Sequence, residues 1–239
     1  MSRQLAGWLQ ASKYSVVMTG AGMSTDSGLP DFRSSSGLWS NYDPKQLATV
    51  EALEHQNEAF TSFYQWRLQS LLEASPNKGH EVLAHWEQQG ILQHVITQNV
   101  DGFHQAAGQQ HVSALHGSLR EIHCHICGRP AAQEDFLNRS SLCPNCGGKL
   151  RPGIVLFGEM LPEHDIQQAQ EATSSCDLFI VLGSSLQVAP ASLFPMEAKE
   201  NGARLVIVNQ EDTDLDSRAD LTFPGASIQD VLLETNAYM

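Results

Sequence analysis

Short runs of apolar residues alternate along this chain with longer stretches in which apolar side chains recur every three or four positions. Five runs are typical of buried strands, at residues 14–19, 92–97, 154–157, 178–182 and 204–208. The longer stretches predict helices at 3–13, 47–72, 79–88 and 162–173, with one more helix before the last strand. Continuously apolar strands separated by helices indicate an α/β fold, a parallel sheet covered by helices on both faces.

The predicted strands end in small or polar residues. These are Gly20 and Gly22 after the first strand, Gln98, Asn99 and Asp101 after the second, Gly183, Ser184 and Ser185 after the fourth, and Asn209 after the fifth. Parallel strands end at one edge of a sheet, where ligands bind in open α/β sheets, so we expect these residues to converge on one crevice. As an alternative, Asn99 and Asp101 are turn residues that cap a helix beginning near Phe103.

The stretch 20–40 reads GAGMSTDSGLPDFRSSSGLWS and follows the first strand directly. A Gly-Ala-Gly turn leaves backbone N–H groups open to a phosphate, because glycine has no Cβ. The spacing does not match the dinucleotide pattern G-x-G-x-x-G, since the next glycine is Gly28, and a purely structural turn is the alternative. We predict that residues 24–33 form a mobile loop beside the bound nucleotide. The loop contains Ser24 and, at its end, four consecutive residues, Pro30, Asp31, Phe32 and Arg33.

Cysteines and small polar residues dominate the stretch from about 119 to 151, which marks an insertion between the two halves of the sheet. It contains two C-x-x-C pairs, Cys124 with Cys127 and Cys143 with Cys146, at a spacing typical of four-thiolate zinc sites. Four thiolates complete the coordination of zinc, so we predict a structural ion and leave little room for His123 or His125 as ligands. Cys176 precedes an apolar strand and is predicted to be a buried core residue.

Composition narrows the choice of partners and compartment. With 14 basic and 27 acidic residues among 239, the chain carries a net charge of −13. This charge disfavours binding to nucleic acid and favours binding to a basic peptide. The alternative is that the excess of acidic residues only keeps the protein soluble. No apolar run approaches the ~20 residues of a membrane span, and the first residues lack the apolar stretch of a signal peptide. We therefore expect a cytoplasmic protein without membrane contacts. Paired cysteines at metal spacing agree with a reducing compartment.

Six motifs in order along the chain resemble the sirtuin family of NAD-dependent protein deacylases: GAGMSTDSGLPDFR, TQNVDGFH, LHGS, the paired C-x-x-C knuckles, RPGIVLFGE and GSSLQVAP. The resemblance covers residues 14 to 209. It implies a Rossmann-like large part at about 1–40, 77–118 and 158–239, with a helical module at about 41–76 and a zinc module at about 119–157. It also implies a single catalytic domain, which we expect to be a minimal monomeric core of bacterial type.

The resemblance assigns the site residues. NAD would contact the residues Gly20, Ala21, Gly22, Ser24, Asp31, Phe32, Arg33, Gln98, Asn99, Asp101, Gly183, Ser184, Ser185 and Asn209. In the implied reaction, the acyl oxygen of acyl-lysine attacks the ribose C1′ as nicotinamide leaves, and the ribose 2′-hydroxyl then attacks the resulting O-alkylamidate. His116 would be the general base for that hydroxyl, with Asn99 and Asp101 beside it, because imidazole with a pKa of ~6.5 suits this step at neutral pH. From spacing alone, any of the ten histidines could be this base.

The resemblance also implies where the substrate binds. Val155, Phe157 and Gly158 would pair with an extended acyl-lysine peptide as an added strand. Ala48, Tyr64 and Arg67 are similar to the set with which some family members bind the carboxylate of succinyl or malonyl groups. At i and i+3, Tyr64 and Arg67 share one face of the predicted helix, and the alternative is that both only pack on neighbours.

The predicted function is NAD-dependent removal of acetyl, and also succinyl or malonyl, groups from lysine. The products are nicotinamide, O-acyl-ADP-ribose and free lysine. Three alternatives remain open at this point: a non-catalytic NAD-sensing scaffold, a mono-ADP-ribosyltransferase and a hydride-transferring dehydrogenase. The presence of Arg33, Asn99, Asp101 and His116 together favours the deacylase.

Overall fold

A computed structural model describes residues 1–35, 37–138 and 141–239 of the chain. Within this part, nine strands follow in chain order: β1 Ser15–Thr19, β2 His94–Thr97, β3 Val112–Ala114, β4 Gly117–Cys124, β5 Pro130–Ala131, β6 Leu150–Ile154, β7 Leu178–Leu182, β8 Arg204–Asn209 and β9 Leu221–Pro224. The same part contains ten α-helices: α1 Ser2–Ala11, α2 Pro44–Leu47, α3 Val50–His55, α4 Asn57–Glu73, α5 Lys78–Gln88, α6 Phe103–Ala106, α7 Gln133–Leu137, α8 Glu163–Ser175, α9 Phe194–Glu200 and α10 Ile228–Asn236.

Six strands form one parallel sheet in the order β3-β2-β1-β7-β8-β9. From β1 the chain adds strands in one direction, and from β7 it adds them in the other. The strand order therefore reverses between β1 and β7. In open α/β sheets, the crevice outside the carboxyl ends of the strands at such a reversal is the place where ligands bind.

Apolar layers cover both faces of this sheet, as the uninterrupted apolar runs predicted. On one face, Val17 and Ile180 pack with residues of α1, α5 and α10. On the other face, Met18 and Phe179 pack with residues of α8 and α9. Cys176 is buried in this second layer, as expected.

A third apolar cluster lies beyond the large sheet and joins the helical and cysteine-rich insertions into one core. Phe60 and Leu68 of α4 contact the same cluster as Leu119 of β4, Phe136 of α7 and Leu150 of β6. Strands β4, β5 and β6 form a separate antiparallel sheet in the order β5-β4-β6. The insertion is thus a small packed unit with its own sheet.

Several elements differ from the sequence prediction. The strand predicted at 154–157 lies at Leu150–Ile154, and residue 157 makes only an isolated bridge with Thr49. Strands β3, β4, β5 and β9 and helices α7 and α10 are absent from the sequence prediction. Strand β4 has a register shift between Ser118 and Ile122, so its apolar residues do not alternate regularly. Among the described residues, no helix is both long and apolar enough to cross a lipid bilayer.

Candidate functional site

The glycine turn after β1 packs directly on the end of β7. The backbone N–H groups of Gly20 and Gly22 donate to the carbonyl oxygens of Leu182 and Gly183, at 3.0 Å each. A Cβ on Gly20 would come within 2.6 Å of the Gly183 oxygen, and one on Gly22 within 2.8 Å of the Gly183 Cα. These two glycines are therefore needed for close backbone contact across the strand reversal. Their own N–H groups are not directed at a ligand, which corrects the reasoning from sequence.

Polar side chains from the ends of β1 and β2 meet beside this turn. Ser24, in the 3-10 helix Ala21–Ser27, donates its hydroxyl to Oδ2 of Asp101 at 2.7 Å. Asn99 donates its side-chain amide to the Gly20 carbonyl oxygen at 2.9 Å and to Ser24 Oγ at 3.2 Å. Gln98 donates to Oγ of Ser184, at 2.8 Å. These contacts bring the predicted site residues of β1, β2 and β7 into one hydrogen-bonded group.

Asp101 belongs to this hydrogen-bonded group and also bonds to the backbone of the helix that follows it. Its Oδ1 accepts the backbone N–H of Phe103 at 2.9 Å, a turn contact at the start of α6 that agrees with the turn alternative. Its other oxygen accepts from Ser24. The carboxyl is buried, and burial raises its pKa despite these donors and the positive charges of Arg67 and Arg120. Asn99, by contrast, directs its side chain to the glycine turn.

His116 lies just before β4, at the junction between the two sheets. Its Nδ1 is 3.0 Å from the carbonyl oxygen of Gln98. Because a carbonyl oxygen only accepts, Nδ1 must carry the proton, and the neutral ring then has its lone pair on Nε2. Burial lowers the pKa of His116, and the positive charge of Arg33 acts in the same direction, so the imidazole is neutral at pH 7. This arrangement provides a base at Nε2.

The segment 155–158 lies against His116 on one side and against the helical insertion on the other. The N–H of Val155 donates to the carbonyl oxygen of His116 at 2.9 Å, and the N–H of Phe157 donates to that of Ala48 at 2.8 Å. Gly158 follows with a φ of +95°. Two residues predicted separately, Ala48 and His116, are thus joined through the segment predicted to bind peptide.

An ion pair between the buried Arg151 and the half-buried Glu159, which was not predicted from sequence, holds this segment in place. Glu159 accepts two hydrogen bonds from the guanidinium of Arg151, at 2.6 and 2.9 Å, and a third from the N–H of Leu156 at 2.8 Å. Arg151 also donates to the carbonyl oxygen of Ile154 at 2.6 Å. The bidentate pair fixes both ends of the turn that carries Val155 and Phe157.

Tyr64 and Arg67 lie one turn apart on α4, close to the loop that carries Phe32. The guanidinium carbon of Arg67 is 4.9 Å from the centre of the Phe32 ring, and Phe32 is 5.1 Å from the ring of Trp39. Among the described residues, no carboxylate forms an ion pair with Arg67. Burial raises the pKa of Tyr64 to about 12, so its hydroxyl stays protonated at neutral pH.

Four other predicted residues lie at the edges of this site. Ala21 and Ser185 are half-buried beside the glycine contact, and Asn209 ends β8 and donates its side-chain amide to the carbonyl oxygen of Glu211 at 2.8 Å. Asp31 accepts the N–H of Ser34 at 2.9 Å and shapes the loop. The first residues of that loop are held in place, because Ser24 is buried and bonded to Asp101.

The four cysteines of the two knuckles form one cluster. Their sulfur atoms lie within 4.8 Å of one another, with Cys124 and Cys146 at 3.5 Å and Cys127 and Cys143 at 3.8 Å. Thiolates at about 2.3 Å from a tetrahedral zinc ion are about 3.8 Å apart, so the cluster fits zinc. The glycines that follow the knuckles, at 128 and 147, have φ of +68° and +69°, as the predicted tight turns require.

The model of the Sir2 family matches residues 20–190, which is more than half of the chain. The chain belongs to the Sir2 family. NAD-dependent protein deacetylase 1 of Geobacillus kaustophilus strain HTA426 is 53% identical over 233 residues, covering 97% of this chain and 96% of that protein. The NAD-dependent protein deacylase of Aeropyrum pernix is 43% identical over 214 residues, covering 89% of this chain and 87% of that protein.

Solved structures of other Sir2 proteins share the whole architecture. A Sir2 homologue in complex with ADP-ribose superposes with a TM-score of 0.94 at 37% identity, covering 100% of this chain and 96% of that one. A Sir2 protein with a p53 peptide and NAD⁺ gives a TM-score of 0.91 at 36% identity, covering 99% and 98%. The fold predicted from the motifs, a Rossmann-like sheet with a smaller zinc and helical part, is therefore confirmed.

Proposed function

We propose that this Sir2-family protein removes acyl groups from protein lysine side chains with NAD as co-substrate. The observation that carries the proposal is the position of His116. Its Nδ1 proton is held by the Gln98 carbonyl oxygen, and its own carbonyl holds the segment that would bind peptide. A base is thus joined directly both to the polar crevice at the strand reversal and to the peptide segment.

The residues around the crevice would have different roles in binding NAD and in proton transfer. When bound, NAD supplies an ADP-ribosyl group that accepts the acyl oxygen and releases nicotinamide. Asn99, Ser24 and Asp101 would orient the ribose and the nicotinamide amide, and His116 Nε2 would take the proton of a ribose hydroxyl. Gly183, Ser184 and Asn209 would line the adenosine side, and Phe32 and Arg33 would close the loop over the site.

The main experiment is incubation of the purified protein with an acetyl-lysine peptide, with and without NAD. We expect nicotinamide and deacetylated peptide in equal amounts, and only when both substrates are present. NAD binding without nicotinamide release would favour a scaffold. Label from NAD recovered on protein would favour ADP-ribosyl transfer, and NADH absorbance would favour a dehydrogenase.

We propose that the acyl range includes succinyl or malonyl groups. Arg67 forms no ion pair among the described residues, the Tyr64 hydroxyl stays a donor, and the backbone of Ala48, whose side chain is small, is bonded to the N–H of Phe157. A carboxylate on the acyl chain would supply a direct ionic partner for Arg67 and accept a bidentate pair of hydrogen bonds.

The substitution Arg67→Met tests this pocket. Charge-assisted hydrogen bonds contribute ~1.5–3 kcal/mol, so we expect kcat/KM for a succinyl-lysine peptide to fall about 10- to 100-fold, with a smaller change for acetyl-lysine. Arg67→Lys is the matched control, since it keeps the charge and loses the bidentate geometry, and it should fall in between. Wild-type protein without succinyl turnover, or an Arg67→Met variant with unchanged succinyl turnover, contradicts the proposal.

The remaining predictions concern the setting of this activity. The boundaries at 41–76 and 119–157, the cytoplasmic location and the monomeric state stay predictions. Acyl-lysine peptides are the partners we propose, and with a net charge of −13 lysine-rich segments suit the chain better than nucleic acid.

A further inference from the structure

Two threonine hydroxyls meet between the ends of β1 and β2. Thr19 and Thr97 are neighbours in the parallel ladder, both are buried, and Thr19 donates its hydroxyl to Oγ1 of Thr97 at 2.8 Å. Oγ1 of Thr97 also accepts the backbone N–H of Asn99, at 3.0 Å. The turn that presents Asn99 to the crevice is therefore fixed by a side-chain hydroxyl.

A buried histidine of α6 completes this group. Nε2 of His104 lies 2.9 Å from Oγ1 of Thr19. Burial lowers the pKa of His104 well below its usual value, so the ring is neutral and has one N–H and one lone pair. The contact with the Thr19 hydroxyl is the one hydrogen bond that the described residues provide to this ring, because Nδ1 of His104 has no partner among them.

The other face of His104 is set by a second buried histidine, His80 of α5. The two rings are 4.9 Å apart between centroids. Nδ1 of His80 lies 3.2 Å from the backbone N of Asn77 and 3.0 Å from its side-chain Oδ1, in the capping box of α5. Nε2 of His80 and Nδ1 of His104 are buried and have no hydrogen-bond partner among the described residues. The His104 ring is thus held by packing against His80 on one side and by its hydrogen bond to Thr19 on the other.

We propose that His104 is a positioning residue that acts through the Thr19 and Thr97 hydroxyls on Asn99. The inference rests on the proposed function, which places Asn99 beside the nicotinamide and the ribose. Without the Nε2 contact, the Thr19 hydroxyl loses a hydrogen-bond partner and the pair of threonine hydroxyls rearranges, so that the Thr97 oxygen no longer holds the Asn99 N–H. The chemical step then slows, while the peptide segment at 155–158, attached through His116 and Ala48, keeps its affinity.

Three substitutions separate this role from simple packing. His104→Gln retains an N–H close to the Nε2 position, His104→Asn retains one only near Nδ1, and His104→Leu retains neither. For an acetyl-lysine peptide at saturating NAD, we expect kcat of the Gln variant within about threefold of wild type. The loss of one buried hydrogen bond corresponds to about a tenfold decrease in rate. We therefore expect kcat of the Asn and Leu variants to fall at least about tenfold, with KM for the peptide unchanged. Melting temperatures identify any variant that fails to fold, and the Gln and Asn variants, similar in polarity, then carry the comparison.

A double-mutant cycle tests the route through Thr97. If His104 acts through this hydroxyl, Thr97→Val combined with His104→Leu lowers kcat no further than the larger single effect. The inference is wrong if the decreases in kcat of the two single variants multiply in the double variant, or if the Gln variant is as slow as the Leu variant. In both cases turnover by the wild-type protein still supports the proposed function. Absence of turnover in the wild type refutes the proposed function itself.

Discussion

Replacing His116 by alanine is expected to lower NAD-dependent deacetylation about 10²–10⁴-fold, the usual contribution of a positioned general base. Nε2 of His116 has the lone pair because Nδ1 donates to the Gln98 carbonyl oxygen at 3.0 Å. The base acts on a ribose hydroxyl after nicotinamide has left, so exchange of labelled nicotinamide into NAD should be affected much less than formation of deacetylated peptide.

The matched control for this variant is His164→Ala, because His164 is exposed on α8 and is none of the predicted site residues. It should keep wild-type turnover. Retention of deacetylation by the His116→Ala variant, or equal loss of exchange and deacetylation, would contradict the assignment of His116 as the base for the second step.

The pH dependence follows from the same geometry. The active form of His116 is the neutral base, and burial lowers its pKa below the usual value of 6.5. Activity is therefore expected to persist at pH 6.5 and to fall only as the pH decreases through the lowered pKa. A profile of kcat/KM against pH measures this acid limb, and a limb centred above about 7 would contradict a buried neutral imidazole.

Removal of zinc is the second change for which we expect a large effect. The four-cysteine cluster belongs to the small insertion that contains β4, β5 and β6. Cys124 is fully buried there, and Leu150 of β6 lies in the same apolar cluster as Phe60 of α4. Lys149, three residues after Cys146, donates its ammonium group to the carbonyl oxygens of Leu53 and Glu54 at 3.1 and 2.9 Å. Loss of the ion should therefore loosen the helical insertion and the segment at 155–158 together.

A chelator strong enough to strip zinc, or the substitution Cys124→Ser, is expected to lower the melting temperature and abolish turnover, because binding energy of a structural zinc is folding energy. Zinc content, melting temperature and activity are measured on the same sample. Cys176→Ala is the control, since this cysteine is buried in the large sheet's core, away from the four-sulfur cluster. A zinc-free sample with full activity and an unchanged melting temperature would refute the structural role.

The sequence by itself determined the four central strands of the large sheet, the zinc ligands and the family. Strands buried on both faces are continuously apolar, so the runs at β1, β7 and β8 were recognisable without any neighbour. Zinc ligands are recognisable for a similar local reason, because each C-x-x-C pair binds one face of the ion within four residues. Six motifs in a fixed order were needed to select His116 among ten histidines.

The sequence also contains a signal for α10 that was not used. Ile228, Val231, Leu232 and Thr235 have helical spacing and are buried, and Ser227 caps the helix by accepting the N–H of Asp230 at 3.2 Å. Strand β4 is different, because Leu119 and Ile122 are three residues apart across a bulge and carry no period of two.

Only the tertiary structure decided how the strand ends are used. Gly20 and Gly22 are constrained by Gly183, more than 160 residues further along the chain, because adjacent parallel strands bring their ends into contact. The tautomer of His116 depends on the carbonyl oxygen of Gln98, in the turn after β2. The contacts of Thr19 with Thr97 and His104 depend on the register of the sheet. Such contacts join residues that are distant in sequence, and a local pattern of polar and apolar positions carries no record of which partners they will meet.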